Sequence, residues 1–366
     1  LKIPGAVPQD HRERDWMNRF VAVEGDAILS SVASYDYQVW FDGNIVGMGG
    51  VGDVSTFPQY RRRGAVRACI ETAFAAMREK GQAFSYLYPF STAFYEKLGY
   101  GLGCRVVNWD IPMRNLPKQP IRGTFSLYEQ GQALLPYQQV YAAFVAYRNL
   151  AAQREEIDWK PFTKKTWQNR VYTYLYHMEN GQPGGYFTMG PKQEGKTVVM
   201  DCSELVFCSQ EALEAMLTFM TGFAANYDTV RLPLPEDVLL EPYIREHTGV
   251  KQNRYNKGMV RAVCVQQVLH QATYLGEGSV ILQILDESCP WNNETFQVEF
   301  SPQGTVVQQT QKQPDITLPV SLFSECILGR YDAQQLAAFP AFAEAKNQEN
   351  LKKIFYKKRM WIQEGF

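Results

Sequence analysis

Along residues 20–56 apolar and polar positions alternate with the period of β-strands. Segments 20–23 and 27–32 flank a turn at Glu24-Gly25-Asp26, and 37–41 and 44–48 flank Asp42-Gly43, a dipeptide suited to a two-residue hairpin. Gly47, Gly49, Gly50 and Gly52 then strip side chains from a strand pattern, which predicts a bulge or a close backbone approach. Residues 61–80 read as a helix with Val66, Ile70, Ala73, Phe74 and Met77 on one face and Gly81 just past its end. A strand over 83–88 and a short helix over 92–98, stopped by Gly99, complete this first unit.

A second unit repeats the order. Residues 197–207 are strand-like, Ser209 is placed to cap a helix whose face is Leu213, Met216, Leu217, Met220 and Phe223, and 229–234 is a strand again. This unit is expected to be a diverged repeat that has lost any ligand site of the first. Strands over 280–285, 295–300, 305–310 and 315–318 precede helices over 320–328 and 332–353, the pattern of a separate α+β domain. The 366 residues thus divide as 1–118, 119–264 and 265–366.

Composition narrows the chemistry. A net charge of -1 supplies no basic footprint for nucleic acid or an anionic membrane. No apolar run is long enough to span a bilayer and no signal peptide is visible, so a cytoplasmic protein is expected. The chain opens at Leu1 without a Met, which predicts a missing upstream segment. Seven cysteines, an odd number with no C-x-x-C pair, argue for buried thiols rather than disulfides or zinc. His11, His177, His247 and His270 lack metal-ligand spacing and are read as structural or surface residues; no metal is expected.

The informative segment is 54–67, V-S-T-F-P-Q-Y-R-R-R-G-A-V-R. A strand ends, a turn carries Arg61, Arg62, Arg63 and Gly64, and a helix begins. A helix N-terminus offers unpaired N–H donors and partial positive charge, and arginines add bidentate bonds to phosphate. Basic residues are disfavoured by the helix dipole at that end, so three together call for an anion. The spacing is neither G-x-x-x-x-G-K-[ST] nor G-x-G-x-x-G. Arg61-x-x-Gly64-x-Val66 instead resembles the (Q/R)-x-x-G-x-(G/A) turn of the GNAT superfamily of N-acetyltransferases, with Val66 departing from the usual small residue. The longer R-R-R-G-x-x-R, with V-x-T-x-P before it, is similar to the enhanced intracellular survival (Eis) branch. A second motif agrees: F-Y-x-x-x-G-Y over 94–100 follows the strand that splays in such enzymes.

The resemblance implies tandem GNAT folds, the first active and the central one degenerate, followed by a sterol-carrier-like α+β domain; Asp315-Ile-Thr-Leu and Leu328-Gly329 resemble that last domain. The first strand and helix of the leading GNAT fold are expected to be absent or upstream of Leu1. The resemblance further implies acetyl-CoA held by Val54, Ser55, Thr56, Arg62, Arg63, Gly64, Ala65, Val66 and Arg67, with Phe90 and Ser91 flanking the splayed strand. Tyr95 would be the general acid, ahead of Tyr100, and the carboxylate of Phe366 the base. Gly365 stands where an acidic side chain could help bind a polycation, and Glu364 is the expected substitute. The acceptor would be a small-molecule or peptide amine, aminoglycosides included, with protein lysines an alternative, and the enzyme a homo-oligomer, a hexamer by resemblance. Two rival readings are a lipid- or sterol-binding protein with a vestigial site and a peptidyl or aminoacyl transferase; the intact arginine turn and Tyr95 speak against the first and the neutral charge against the second.

Overall fold

The computed structural model describes residues 17–163 and 170–366. His11 and the expected upstream start lie outside the described residues. The chain divides into two compact units, one made of residues up to Cys104 with 257–360 and 364–366, the other of 105–256 with 361–363.

The first unit opens with β1 (Met17–Glu24), β2 (Ala27–Phe41) and β3 (Asn44–Thr56), then α1 (Ala65–Glu79), β4 (Gln82–Leu87) and α2 (Thr92–Glu96). The sequence reading broke β2 in two, yet it runs unbroken, because Ser34 and Tyr35 are buried and pair across to Val51 and Gly50. β1, β2 and β3 are antiparallel; β4 lies parallel to β3, as the crossover through α1 requires. The helix expected over 61–80 begins only at Ala65. Arg62 (φ +64°) and Gly64 (φ +80°) are left-handed, a conformation no right-handed helix contains. α1 buries Cys69, Ile70, Ala73, Phe74 and Met77, while Val66 is only half-buried. Gly81, at φ +70°, ends it.

The second unit takes in most of β5 (Gly101–Pro112), then β6 (Thr124–Leu127), α3 (Leu135–Val145), α4 (Glu156–Thr163), β7 (Tyr172–His177), β8 (Pro183–Glu194), β9 (Thr197–Phe207), α5 (Gln210–Met220), β10 (Thr229–Pro235) and the start of β11 (Lys251–Ala262). β9–α5–β10 repeats the parallel β3–α1–β4 crossover, with Leu213, Met216, Leu217 and Met220 in its core. Ser209 caps α5 as expected, its hydroxyl accepting from the amide of Ala212 at 3.1 Å.

The rest of the first unit begins with the end of β11, which pairs with β4. After α6 (Val265–Gln271), β12 (Gly278–Leu285), β13 (Thr295–Ser301), β14 (Gly304–Gln309) and β15 (Ile316–Pro319) form a four-stranded sheet backed by α7 (Val320–Ile327). Residues 332–353 are not one helix but α8 (Ala333–Leu336), α9 (Pro340–Ala343) and α10 (Gln348–Ile354). Pro340 lacks the N–H to continue α8, Phe339 before it is extended, and Asn347 is left-handed at φ +54°. The buried Arg261 at the end of β11 ties this sheet to the first, donating to Asp286, whose carboxylate also accepts from Asn292 at 2.9 Å.

All seven cysteines are free thiols, and among the described residues no three His, Cys, Asp or Glu side chains are placed to share a metal. Among these residues no helix is long and apolar enough to cross a membrane. Ser209→Ala should cost about 1 kcal/mol and Ser209→Gly a few tenths: both lose the hydroxyl acceptor, but glycine leaves the freed Ala212 amide open to water and fits the cap backbone, whereas the alanine methyl shields it; denaturant titrations followed by near-ultraviolet spectra of the aromatic-rich second unit would check the order.

Candidate active site

The site starts where two parallel strands part. β3 and β4 pair from Gly47–Gln82 to Val51–Leu87, after which β4 ends while β3 continues to Thr56. Along 52–56 the side of β3 away from β2 thus has no strand partner, and its backbone polar groups face an opening. A bulge marks the change: Ser31 pairs with Ser55 but Ala33 with Gly52, so one extra residue is inserted, and Asp53 takes φ +49°.

A cavity of 690 Å³ leads from that opening to the start of α1. Of the expected cofactor residues, Val54, Thr56, Arg62, Arg63, Gly64, Ala65, Val66, Arg67 and Phe90 line it. Ser55 and Ser91 do not. Strand alternation turns Ser55 away from Val54 and Thr56, and its carbonyl accepts from Ser30 at 2.8 Å. Ser91 is the residue before α2, with an extended backbone. Tyr60, Arg61 and Phe94 line the cavity and were missing from the sequence-derived set. Arg61 was legible as the first residue of the arginine motif; Phe94 was legible as the first residue of the F-Y-x-x-x-G-Y motif.

The turn is electrostatically prepared. No side chain caps α1, and no acidic residue sits in its first turn, so the amides there are left for a ligand. Gly64 has open space where a Cβ would be; its need is for the left-handed backbone. Arg63 is engaged by Glu24 at 3.3 Å and stacks on Tyr60 at 5.4 Å. Arg67 pairs with Glu71 at 3.4 Å and donates to the Lys97 carbonyl at 3.2 Å. Arg61 and Arg62 have no ion pair among the described residues, and Arg62 is held in a costly backbone conformation. The four arginines therefore split into two that are paired within the protein and two with no ion pair among the described residues.

Tyr95 is buried behind the rings of Phe90 (5.3 Å), Phe94 (5.0 Å) and Tyr100 (5.9 Å). Burial pushes its phenol up to about 12, so it keeps its proton throughout the neutral range. Tyr100 is fully buried and shares a hydrogen bond with Ser85 at 2.7 Å, a core role.

Phe366 lies on the opposite face of β3 from α1. An added Cβ at Gly49 would strike Met77 of α1, whereas at Gly50 it would come within 2.9 Å of the Phe366 ring and at Gly52 within 2.9 Å of the Phe366 carboxyl carbon. The ring sits among Tyr37 (5.3 Å), Tyr88 (5.2 Å) and Tyr86 (6.3 Å). Tyr88 donates its hydroxyl proton to the carbonyl of Glu364.

The turn and the cavity predict affinity. Arg61→Ala and Arg62→Ala should each weaken coenzyme A by about tenfold or more, as loss of a charge-assisted bond worth about 1.5–3 kcal/mol implies; Arg63→Ala should also lower the melting temperature slightly, because the exposed pair with Glu24 that it removes is worth up to about 1 kcal/mol. Calorimetric titration with coenzyme A and thermal melts separate the two classes.

Comparisons with known proteins place the chain by domain family and fold. Residues 8–103 and 150–262 each match an Acetyltransferase (GNAT) domain family, and 265–363 match the Sterol carrier protein domain. An N-acetyltransferase of Streptomyces avermitilis is 24% identical over 359 residues, with 91% of this chain and 87% of that one covered. Among solved structures, a probable N-acyltransferase from Enterococcus faecalis V583 superposes with a TM-score of 0.84 at 19% identity over 96% of this chain and 90% of that one. Eis1 from Mycobacterium abscessus superposes with a TM-score of 0.78 at 20% identity over 95% and 91%. The chain is an N-acetyltransferase of Eis-like architecture, two GNAT domains followed by a sterol carrier protein domain.

Proposed function

We propose that the enzyme acetylates a primary amine of an aminoglycoside-like polycation by direct attack on acetyl-CoA. The observation that carries this reading is the seat of Phe366 on Gly50 and Gly52, on the strand whose free side opens into the arginine-lined cavity. Acetyl-CoA supplies an activated thioester carbonyl when bound. Arg61, Arg62 and the first amides of α1 hold its pyrophosphate, and the unpaired backbone of Val54 and Thr56 holds the pantetheine arm as an added strand would. The aromatic wall of Phe90 and Phe94 keeps water from the thioester end.

The Phe366 carboxylate takes the proton that the amine loses, directly or through one water. As the new C–N bond forms the C–S bond breaks, and Tyr95 donates to the leaving sulfur. A thiol titrates near 8.5, well below a phenol at about 12, so Tyr95 contributes most as a hydrogen-bond donor in the transition state. No covalent enzyme intermediate is needed, because holding the two substrates together supplies much of the rate. The homo-oligomer, a hexamer by family resemblance, belongs to the same reading; exposed Val21, Val23 and Ile28 on β1 and β2 offer apolar surface for it.

Thiol release from acetyl-CoA with kanamycin, with a lysine-rich peptide and with no acceptor is the direct test. Release with kanamycin supports the proposal, release with the peptide alone moves the acceptor to protein lysines, and release with neither overturns it. Tyr95→Phe should lower kcat by about 100-fold with little change in acetyl-CoA affinity; unchanged turnover removes Tyr95 from the chemistry. Residues added after Phe366 should abolish most turnover while coenzyme A still binds, and a fully active fusion would remove the terminal base.

A further inference from the structure

The sheet face that carries Phe366 also carries an ion pair that neither cofactor binding nor acid–base chemistry uses. Arg19 on β1 is paired with Ala33 on β2, and Ala33 with Gly52 on β3, so the three share one face of the sheet. The ring of Tyr35 reaches that same point: its Cε2 would lie 3.2 Å from a Cβ at Gly52, as close as the carbonyl oxygen of Phe366 does at 3.3 Å. The Tyr35 hydroxyl donates to Asp53 at 3.2 Å. Asp53 accepts from Arg19 at 2.8 Å, and the other Arg19 nitrogen donates to Ser31 at 3.1 Å. One tyrosine ring therefore touches both the Phe366 seat and the Asp53 carboxylate.

We infer that Asp53 is the recognition carboxylate for a second cationic centre of the acceptor, and that Arg19 holds this seat until the acceptor displaces it. The inference rests on the proposed amine acetylation and names the class of amine: a diamine or polyamine. One ammonium loses its proton near Phe366 and the other takes the place of the guanidinium on Asp53.

Three observations support the exchange. Both partners keep about half their side-chain surface in water, 41% for Arg19 and 54% for Asp53. An exposed pair of this kind is worth roughly 0–1 kcal/mol, so swapping one cation for another costs little. Asp53 also sits at the bulge with φ +49°, a conformation that a non-glycine residue holds at some energetic cost and that aims its carboxylate at Tyr35 rather than along the strand. Arg19 has in Ser31 a second anchor that keeps it close when displaced.

The test is calorimetric binding of kanamycin to the full chain, with thiol release measured alongside. Asp53→Asn keeps the shape and tolerates the left-handed backbone; it should weaken kanamycin severalfold, up to about fivefold. Its loss of kcat/KM should be severalfold greater for kanamycin than for the monoamine phenethylamine. Arg19→Ala should instead tighten kanamycin severalfold by removing the competitor. Opposite signs for the two variants support the inference. Weakening by both to a similar degree, or no change with Asp53→Asn, would make the pair structural and overturn it, as would failure of the wild-type chain to bind kanamycin. Because binding is read separately from thiol release, kanamycin that binds with these signs but is not acetylated would overturn the proposed reaction and leave the seat standing.

Discussion

A methyl group at Gly50 or Gly52 would lie 2.9 Å from Phe366, closer than carbon atoms approach without something moving. A methyl at Gly49 would meet Met77 from the other side. β3 is therefore squeezed from both faces, by α1 on one and by the last residue on the other. Glycine weakens a strand by roughly 0.5–1 kcal/mol per position relative to alanine. Several in one strand are tolerable here because β3 is paired along 47–51 on both edges, with β2 and with β4. Everything proposed for the site depends on this thin strand: the acceptor-side groups lie against the face it leaves bare, and the cavity begins at the edge it leaves unpaired.

The same crossover occurs twice, and the contrast supports proposing the phosphate site for the first copy alone. α1 starts on a left-handed glycine with no capping side chain and no acid in its first turn, so its amides wait for an outside acceptor. α5 starts on Ser209, whose hydroxyl already takes an amide, and Glu211 places a negative charge in the first turn. Those two residues satisfy the helix dipole internally. The second helix is more self-sufficient for that reason and offers an anion one amide fewer, beside a like charge. Stability of the helix end and capacity to bind phosphate draw on the same unpaired N–H groups, and each repeat spends them differently.

Much of this was legible in the chain. Alternation marked the β1–β2 turn and the hairpin at Asp42-Gly43, Ser209 announced its cap, and the spacing of Arg61, Gly64 and Val66 marked the turn. Local pattern failed where a distant partner decides. β2 looked broken at 33–36 because Ser34 and Asp36 are polar, although Ser34 is buried against β3. Helical periodicity ran through 332–353, but Pro340 and Asn347 break it into three pieces. Ser55 was grouped with Val54 and Thr56 by motif, whereas strand alternation turns it the other way. The glycines did signal a close approach, and nothing nearby in sequence could say that residue 366 makes it. Arg19 and Asp53 carried no signal at all, since an exposed pair 34 residues apart has no sequence period.

The proposed role of Phe366 asks that residue 366 be held in place, and the path of residues 360–366 bears on it. Fixing one residue's backbone costs about 1–2 kcal/mol, so an unanchored tail frays. Here Met360, Trp361 and Ile362 are buried, and large apolar side chains return about 1.5–3 kcal/mol each on full burial. The Trp361 amide donates to the Asn149 carbonyl at 3.0 Å and the Gln363 side chain to the Ser203 carbonyl at 2.7 Å, while Glu364 accepts from Tyr88. The anchoring is thus placed before the last two residues rather than on them. Gly365 follows with open space around it, the one link left loose, and Phe366 is then gripped by its ring among three tyrosines. Among the described residues the carboxyl group at Gly52 has no ion pair, so the proposed base would keep its charge without a competing cation.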